Sequence, residues 1–190
     1  MAALHRHLPR LNPQAYRGHA FVHWTMTIAG RRTGWLTPEL HHRTRELLLH
    51  VLWRERGTCP AYTLMPDHMH FVIIGTAPDS DQQSLVRYLR LHLNRALAAC
   101  APDVQLQRSA YDRVLREQDR QRYAFEQLAH YILDNPVRAG LVASAGEYPY
   151  SGCVVPGLPG LHPQQPSYWQ HFWAQYEQQL AANQPCSCRR

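Results

Sequence analysis

Residues 59 to 74 hold two runs of strand-forming residues, Cys59 to Leu64 and His68 to Ile74, separated only by Met65-Pro66-Asp67. A connection that short, with a turn-forming Pro-Asp pair, makes the two runs an antiparallel hairpin. Successive side chains in a strand point to opposite faces, so His68 and His70 project together while Met69 and Phe71 project the other way. Two imidazoles on one rigid face are half of a metal site. The spacing alone is common, since thirteen histidines in 190 residues give about one His-x-His by chance, and a second occurs at His5-Arg6-His7 in a basic, irregular segment. The strand context separates the first pair from the second. The competing reading is a pair of half-buried strand histidines satisfied by their neighbours.

The flanking segments extend the hairpin into a sheet. Ala20 to Ala29 alternates and is rich in aromatic and β-branched residues, which predicts a first strand. Thr37-Pro38 supplies an N-cap and a first-turn proline for a helix whose Leu40, Leu47, Leu48, Val51 and Leu52 recur at helical spacing until Gly57. A second helix is expected from Asp81 to Cys100, with Leu85, Leu89, Leu93 and Leu97 buried and Arg87, Arg90 and Asn94 on another face. Val104 to Leu115 contains one or two short strands, and a third helix runs from Glu117 to Asn135, where Pro136 ends it. The order β-α-β-β-α-β-(β)-α predicts an α+β fold, a ferredoxin-like antiparallel sheet with helices packed on it.

Three regions follow. Residues 1–19 read as a basic arm, 20–152 as the main domain, and 153–190 as an extension that is rich in Pro and Gly up to Gly160. In that extension Trp169, Phe172, Trp173, Tyr176 and Leu180 follow Ser167 at helical spacing, which suits a terminal helix docked on the core or an exposed aromatic partner surface. The five cysteines lack the paired spacing of a zinc ribbon or disulfide scaffold and read as reduced thiols, with Cys186 and Cys188 in a polar tail. With no apolar run of membrane length and no h-region, the expectation is a cytoplasmic, nucleoid-associated protein that does not enter a membrane.

The formal charge of +6 comes from arginine alone, for the chain has no lysine. A basic surface of guanidinium forks suits polyanions, since each fork can contact phosphate or guanine bidentately. Tyr131 and Asn135 stand four residues apart on the third predicted helix and so share a face at the border of its apolar stripe. An amide oxygen such as that of Asn135 is a suitable hard donor for Mg²⁺ or Mn²⁺ beside two imidazoles. A phenol next to that ion could attack a phosphorus whose oxygen the ion polarises.

Several motifs in this order resemble those of the REP-associated tyrosine transposases, a branch of the single-tyrosine HUH transposases. His68-Met69-His70 is similar to the family's His-hydrophobic-His motif, and Tyr131-Ile-Leu-Asp-Asn135-Pro-Val-Arg-Ala-Gly140 is similar to its tyrosine helix. Tyr16-Arg17-Gly18, Tyr111-Asp112-Arg113-Val114-Leu115-Arg116 and Tyr148-Pro149-Tyr150-Ser151 extend the likeness over residues 16 to 152. Asp67 replaces an asparagine that is frequent in relatives, and Gln107 to Ala110 lacks their usual aromatic residue.

The resemblance implies an HUH endonuclease fold and a metal-dependent single-strand DNA endonuclease and strand transferase acting beside REP-type DNA hairpins. It implies Tyr131 as nucleophile, His68, His70 and Asn135 as ligands of Mg²⁺ or Mn²⁺, a 5′-phosphotyrosine intermediate, and action as a monomer or homodimer. Arg17, His19, Arg87, Arg90, Asn94, Arg113, Arg116 and Arg138 are the expected DNA contacts. Two alternatives stand beside this reading: a hairpin-binding architectural or regulatory protein that does not cut, and a phosphodiesterase that activates water and uses Tyr131 only to orient substrate.

Overall fold

The computed structural model describes residues 11–183. Its strands are β1 (Phe21–Thr27), β2 (Gly57–Leu64), β3 (His68–Gly75), β4 (Tyr111–Val114) and β5 (Ser151–Val154). Its α-helices are α1 (Pro38–Arg54), α2 (Gln82–Cys100), α3 (Glu117–Arg120), α4 (Arg122–Leu133), α5 (Asn135–Arg138) and α6 (Tyr168–Ala182). The strands form one sheet in the order β4-β1-β3-β2-β5, with every neighbouring pair antiparallel. From β1 to β4 this is the ferredoxin-like arrangement, and it places the histidine strand β3 at the centre.

Each face of the sheet carries its own apolar layer, because the strands alternate. Trp24, Met26, Leu64, Met69, Phe71 and Ile73 point to one side, where Leu48, Leu52, Leu85, Leu89 and Leu93 of α1 and α2 cover them. Phe21, Ala61, Val72 and Ile74 point to the other, under Phe125, Ala129 and Ile132 of α4 and Tyr168, Phe172, Trp173 and Tyr176 of α6. The first two helices start at built caps. Thr37 Oγ1 accepts from Leu40 N at 3.2 Å, and Asp81 Oδ1 accepts from Gln83 N and Ser84 N at 3.0 Å.

Four expectations change. The long helix from Glu117 to Asn135 is three helices, broken at Gln121, whose ψ of 139° is extended, and at Asp134. Arg120 Nε donates to Leu115 O at 2.9 Å and ties α3 to the end of β4, while Pro136, lacking an N–H, cannot continue the ladder of α4. β5 was not expected. It is four residues long and buried throughout, so it shows no alternation, and it spans the boundary drawn at residue 152 to close the β2 edge.

The segment before β1 is no free arm where it is described. Tyr16 is fully buried, its ring 5.7 Å from that of Trp24 and its hydroxyl donating to Asp112 Oδ2 at 2.5 Å. His5, His7 and Arg10, like Cys186 and Cys188, lie outside the described residues. Finally, the α2 stripe divides. Asn94 Oδ1 accepts from Leu106 N at 2.8 Å and Arg90 Nη2 donates to Gln107 O, so both side chains clasp the segment that leads into β4. Of the three, Arg87 is the one that stands exposed.

The aromatic terminal helix docks as one of its two readings expected. Tyr168 and Phe172 are essentially fully buried, Tyr168 OH donates to Pro60 O, and Trp173 Nε1 donates to Glu126 Oε1 of α4 at 2.7 Å. No helix among the described residues is long and apolar enough to cross a membrane.

Candidate active site on the central strand

A row of polar side chains crosses the whole sheet on the α4 side. In register, Tyr111 of β4 pairs with Thr25, Thr25 with His70, His70 with Thr63, and Thr63 with Ser151. Cross-strand partners point to one face, so the five form one row on the side of the sheet that α4 covers. Hydrogen bonds link parts of the row: Thr25 Oγ1 and His70 Nδ1 are 3.2 Å apart, and Ser151 Oγ donates to Thr63 Oγ1 at 3.1 Å.

His68 and His70 converge as the alternation requires. Their Nε2 atoms are 2.9 Å apart, and their rings stand edge to face at 4.7 Å. Behind them, Asp67 Oδ1 accepts from His68 Nδ1 at 2.5 Å, and Arg31 Nη1 donates to Asp67 Oδ2 at 2.6 Å. Burial alone would raise the Asp67 carboxyl, but hydrogen bonds from His68 and Arg31 outweigh it and hold the pKa below its ordinary value. His23, one row along on β1, brings its Nε2 to 3.0 Å from His70 Nδ1. Burial, then the neighbouring His23 and His68, push His70 down to about 3, and burial, then Arg113, pushes His23 down to about 4. Both rings are therefore neutral at pH 7.

This arrangement has the form of a metal-ligand pair with its supports. An ionised carboxylate can only accept, so it holds an N–H on His68 Nδ1 and turns Nε2 toward His70. Two nitrogens bound at about 2.1 Å to one ion, at a right angle, stand about 3.0 Å apart, close to the separation seen. Among the described residues, no group of three or more His, Cys, Asp or Glu side chains could hold a metal ion. A further protein donor would have to be of another type. Asn135 carries an amide oxygen of that other type, and its Nδ2 donates to Ile132 O at 3.0 Å.

The tyrosine helix is joined to this row. Pro136 has no N–H for the carbonyl four residues earlier, so Ile132 O is released from the helix ladder and accepts instead from Thr63 Oγ1 at 3.0 Å and from Asn135 Nδ2. That pins the end of α4 over the residue that pairs with His70. Tyr131 projects outward, 53% exposed, with the Arg138 guanidinium 4.0 Å above its ring. It makes no hydrogen bond or ring contact with His68 or His70.

The remaining expected DNA contacts scatter. Arg113 is on the same face, in register with His23, and pairs with Asp119 at 3.2 Å. Arg116 is exposed before α3, His19 is exposed before β1, and Arg17 pairs with Asp81 at 3.4 Å. Arg87, Arg90 and Asn94 belong to α2, on the opposite side of the sheet. Sequence reasoning missed His23, Thr25, Thr63 and Ser151. Alternation in β1 does put His23 and Thr25 on one face, but only the pairing register shows that this face is His70's.

Comparison with known proteins reaches the same fold. The chain superimposes on a solved structure of a REP-associated tyrosine transposase bound to a REP hairpin, with a TM-score of 0.62 and 21% identity, over 76% of this chain and 81% of that one. A crystal structure of a protein from Deinococcus radiodurans R1, described as a transposase, matches with a TM-score of 0.44 and 14% identity over 66% of this chain and 98% of that one. No protein-family model and no curated protein matches.

Proposed function

We propose that this chain, which has the fold of a REP-associated tyrosine transposase, is a metal-dependent single-strand DNA endonuclease and strand transferase that acts beside DNA hairpins. The observation that carries this reading is the convergence of His68 Nε2 and His70 Nε2 at 2.9 Å on the strand beside Thr63, whose hydroxyl holds the end of the helix that bears an exposed tyrosine. In this reading His68, His70 and the Asn135 amide oxygen hold Mg²⁺ or Mn²⁺, which when bound supplies Lewis-acid polarisation of the scissile phosphate. The Tyr131 oxygen attacks the phosphorus and loses its proton to solvent. The P–O3′ bond breaks, leaving a 5′-phosphotyrosine and, once the leaving oxygen is protonated, a free 3′-hydroxyl. A second 3′-hydroxyl can reverse the step and join strands.

The chain's own groups set the stage for that chemistry. Asp67, His23 and Thr25 orient the two imidazoles, and Thr63 holds the tyrosine helix at its height over the sheet. In this reading Arg138, whose guanidinium lies 4.0 Å over the Tyr131 ring, meets a phosphate beside the nucleophile, and Arg113 and Arg116 are further DNA contacts. The REP hairpin bound by the structurally similar transposase is the substrate class this proposal adopts.

Incubating the protein with a single-stranded hairpin oligonucleotide and Mn²⁺ tests the reading. A covalent protein–DNA adduct that disappears in Tyr131→Phe and is lost in His68→Ala supports it. Cleavage without an adduct would instead indicate a water nucleophile, and hairpin binding with no cleavage under any divalent ion would indicate an architectural protein.

A further inference from the structure

The side of the molecule away from the histidines carries a surface that the proposed chemistry does not use. α1 and α2 lie side by side there, and their outer faces expose Trp53 at 77%, Leu49 at 49% and Leu91 at 50%. Along the seam between the helices the Arg54 guanidinium lies 4.7 Å over the Tyr88 ring, whose other contacts are the rings of His92 at 4.1 Å and His50 at 5.7 Å. Trp53 follows Leu49 by one helical turn on the exposed face of α1, and Arg87, Leu91 and Arg95 form an exposed i, i+4, i+8 stripe on α2. This side of the molecule thus exposes an indole and, among the described residues, unpaired guanidinium groups on two adjacent helices.

Its charge is one-sided. α2 contains no Asp or Glu. The two carboxylates near this end of α1 are already engaged, Glu55 with Arg54 at 3.1 Å and Glu46 with Arg43 at 2.9 Å. A second copy of the chain fits this surface poorly, because a two-fold contact would press Arg87 and Arg95 against their own counterparts with no acid on α2 to receive them. A polyanion with flat apolar faces fits it well, since bases stack on exposed indoles and guanidinium planes while phosphates meet the arginines.

We infer that the α1–α2 surface, through Trp53 and Leu91 with Arg87 and Arg95, is a second nucleic-acid contact that stacks single-stranded DNA on the side of the sheet opposite the histidine pair. It deepens the reading proposed above, by assigning part of a bound strand to a surface that takes no part in cleavage. Sequence specificity is not expected of it, because every base offers a π-face and the surface presents few groups able to read base edges.

Binding of a fluorescein-labelled oligothymidylate of about 16 nucleotides, measured by anisotropy on the full chain in EDTA, removes hairpin recognition and metal from the readout, and the variants then report this surface. Trp53→Ala is expected to weaken binding about tenfold. Arg87→Gln with Arg95→Gln is expected to lower the slope of log K against log salt by about 1.4, the share of two phosphate contacts to a single strand. Unchanged affinity in the first and an unchanged slope in the second, with circular dichroism reporting folded protein, would overturn the inference. So would sedimentation showing that Trp53→Ala converts a dimer to a monomer while leaving oligothymidylate binding intact, which would make the face a contact between copies. Loss of adduct formation by wild-type protein that still binds oligothymidylate tightly would strike the catalytic reading and leave this one standing.

Discussion

Thr63 Oγ1 donates to Ile132 O at 3.0 Å, joining the strand next to the histidines to the helix that carries Tyr131. The bond exists because of a residue in neither element: Pro136 lacks the N–H that would otherwise occupy that carbonyl. Ser151 Oγ completes the chain by donating to Thr63 Oγ1 at 3.1 Å, so one buried hydroxyl both accepts and donates. The height of the tyrosine above the sheet is thus set by a buried hydroxyl, reached from three separate parts of the chain.

Thr63→Val keeps the shape and removes both roles of that hydroxyl. It leaves Ser151 Oγ without its acceptor in a buried place, which costs about 1–3 kcal/mol, readable as a lower urea midpoint. The rate of adduct formation should fall further than stability explains, with DNA affinity largely retained, and Thr63→Ser should restore it. A rate equal to wild type in the valine variant would show that the clasp does not position Tyr131.

Divalent-ion binding should register as stability. An ion held by the native imidazoles and not by the unfolded chain raises unfolding free energy by about 2.7 kcal/mol at a hundred times its Kd, so Mn²⁺ should raise Tm and EDTA should reverse the rise. His70→Ala should abolish the Mn²⁺-dependent shift. An identical shift in the alanine variant would place the ion elsewhere.

Gly75 is where the end of β3 meets the segment leading into β1. A Cβ there would lie 1.9 Å from Gly18 O and 2.9 Å from Ser80 Cβ, and two of these partners are tied together by Gly18 N donating to Ser80 O at 2.9 Å. Backbone cannot step aside as a flexible side chain can, so Gly75→Ala should destabilise the fold by about 3 kcal/mol or more. Chemical denaturation measures this, and a loss under about 1 kcal/mol would mean that the segment before β1 moves freely.

The stability of the protein should decline in mild acid, in part through His41. Tyr62 OH accepts from Arg45 Nη1 at 2.9 Å and so turns its own proton toward His41 Nε2, 2.8 Å away, which requires a neutral imidazole. Burial, then Arg45 and His42, push His41 down from 6.5 to about 4. Between these values the unfolded chain holds a proton that the native chain refuses, so protons favour unfolding. The contribution is complete above pH 6.5 and is lost as the pH falls toward 4. His41→Gln, which keeps an acceptor that does not titrate, should flatten the wild-type decline in that window, as urea titrations at several pH values will show. His23, also held near 4, leaves a residual slope in both proteins.

The legible parts of the molecule are those whose cause is local. The β2–β3 hairpin follows from a three-residue connection, α1 from Thr37-Pro38 and its leucine spacing, and the shared face of His68 and His70 from the geometry of any strand. β5 was illegible because a four-residue buried strand after Tyr148-Pro149-Tyr150 has neither length nor alternation, and it forms only because β2 offers an edge. Arg90 and Asn94 looked like a phosphate track because spacing shows which residues share a face, not what that face meets.

The amino-acid sequence by itself determined the ferredoxin-like element order, the paired imidazoles and the tyrosine followed by Asn135-Pro136, since each depends on residues close together in the chain. Only the tertiary structure decided that His23, Thr25 and Thr63 flank that pair with Ser151 behind Thr63, that the freed Ile132 carbonyl is taken by a strand sixty-nine positions away, and that the α2 cations lie across the sheet from Tyr131. Those facts depend on register and on which face each helix covers, and both are settled by long-range burial of apolar side chains rather than by any local preference.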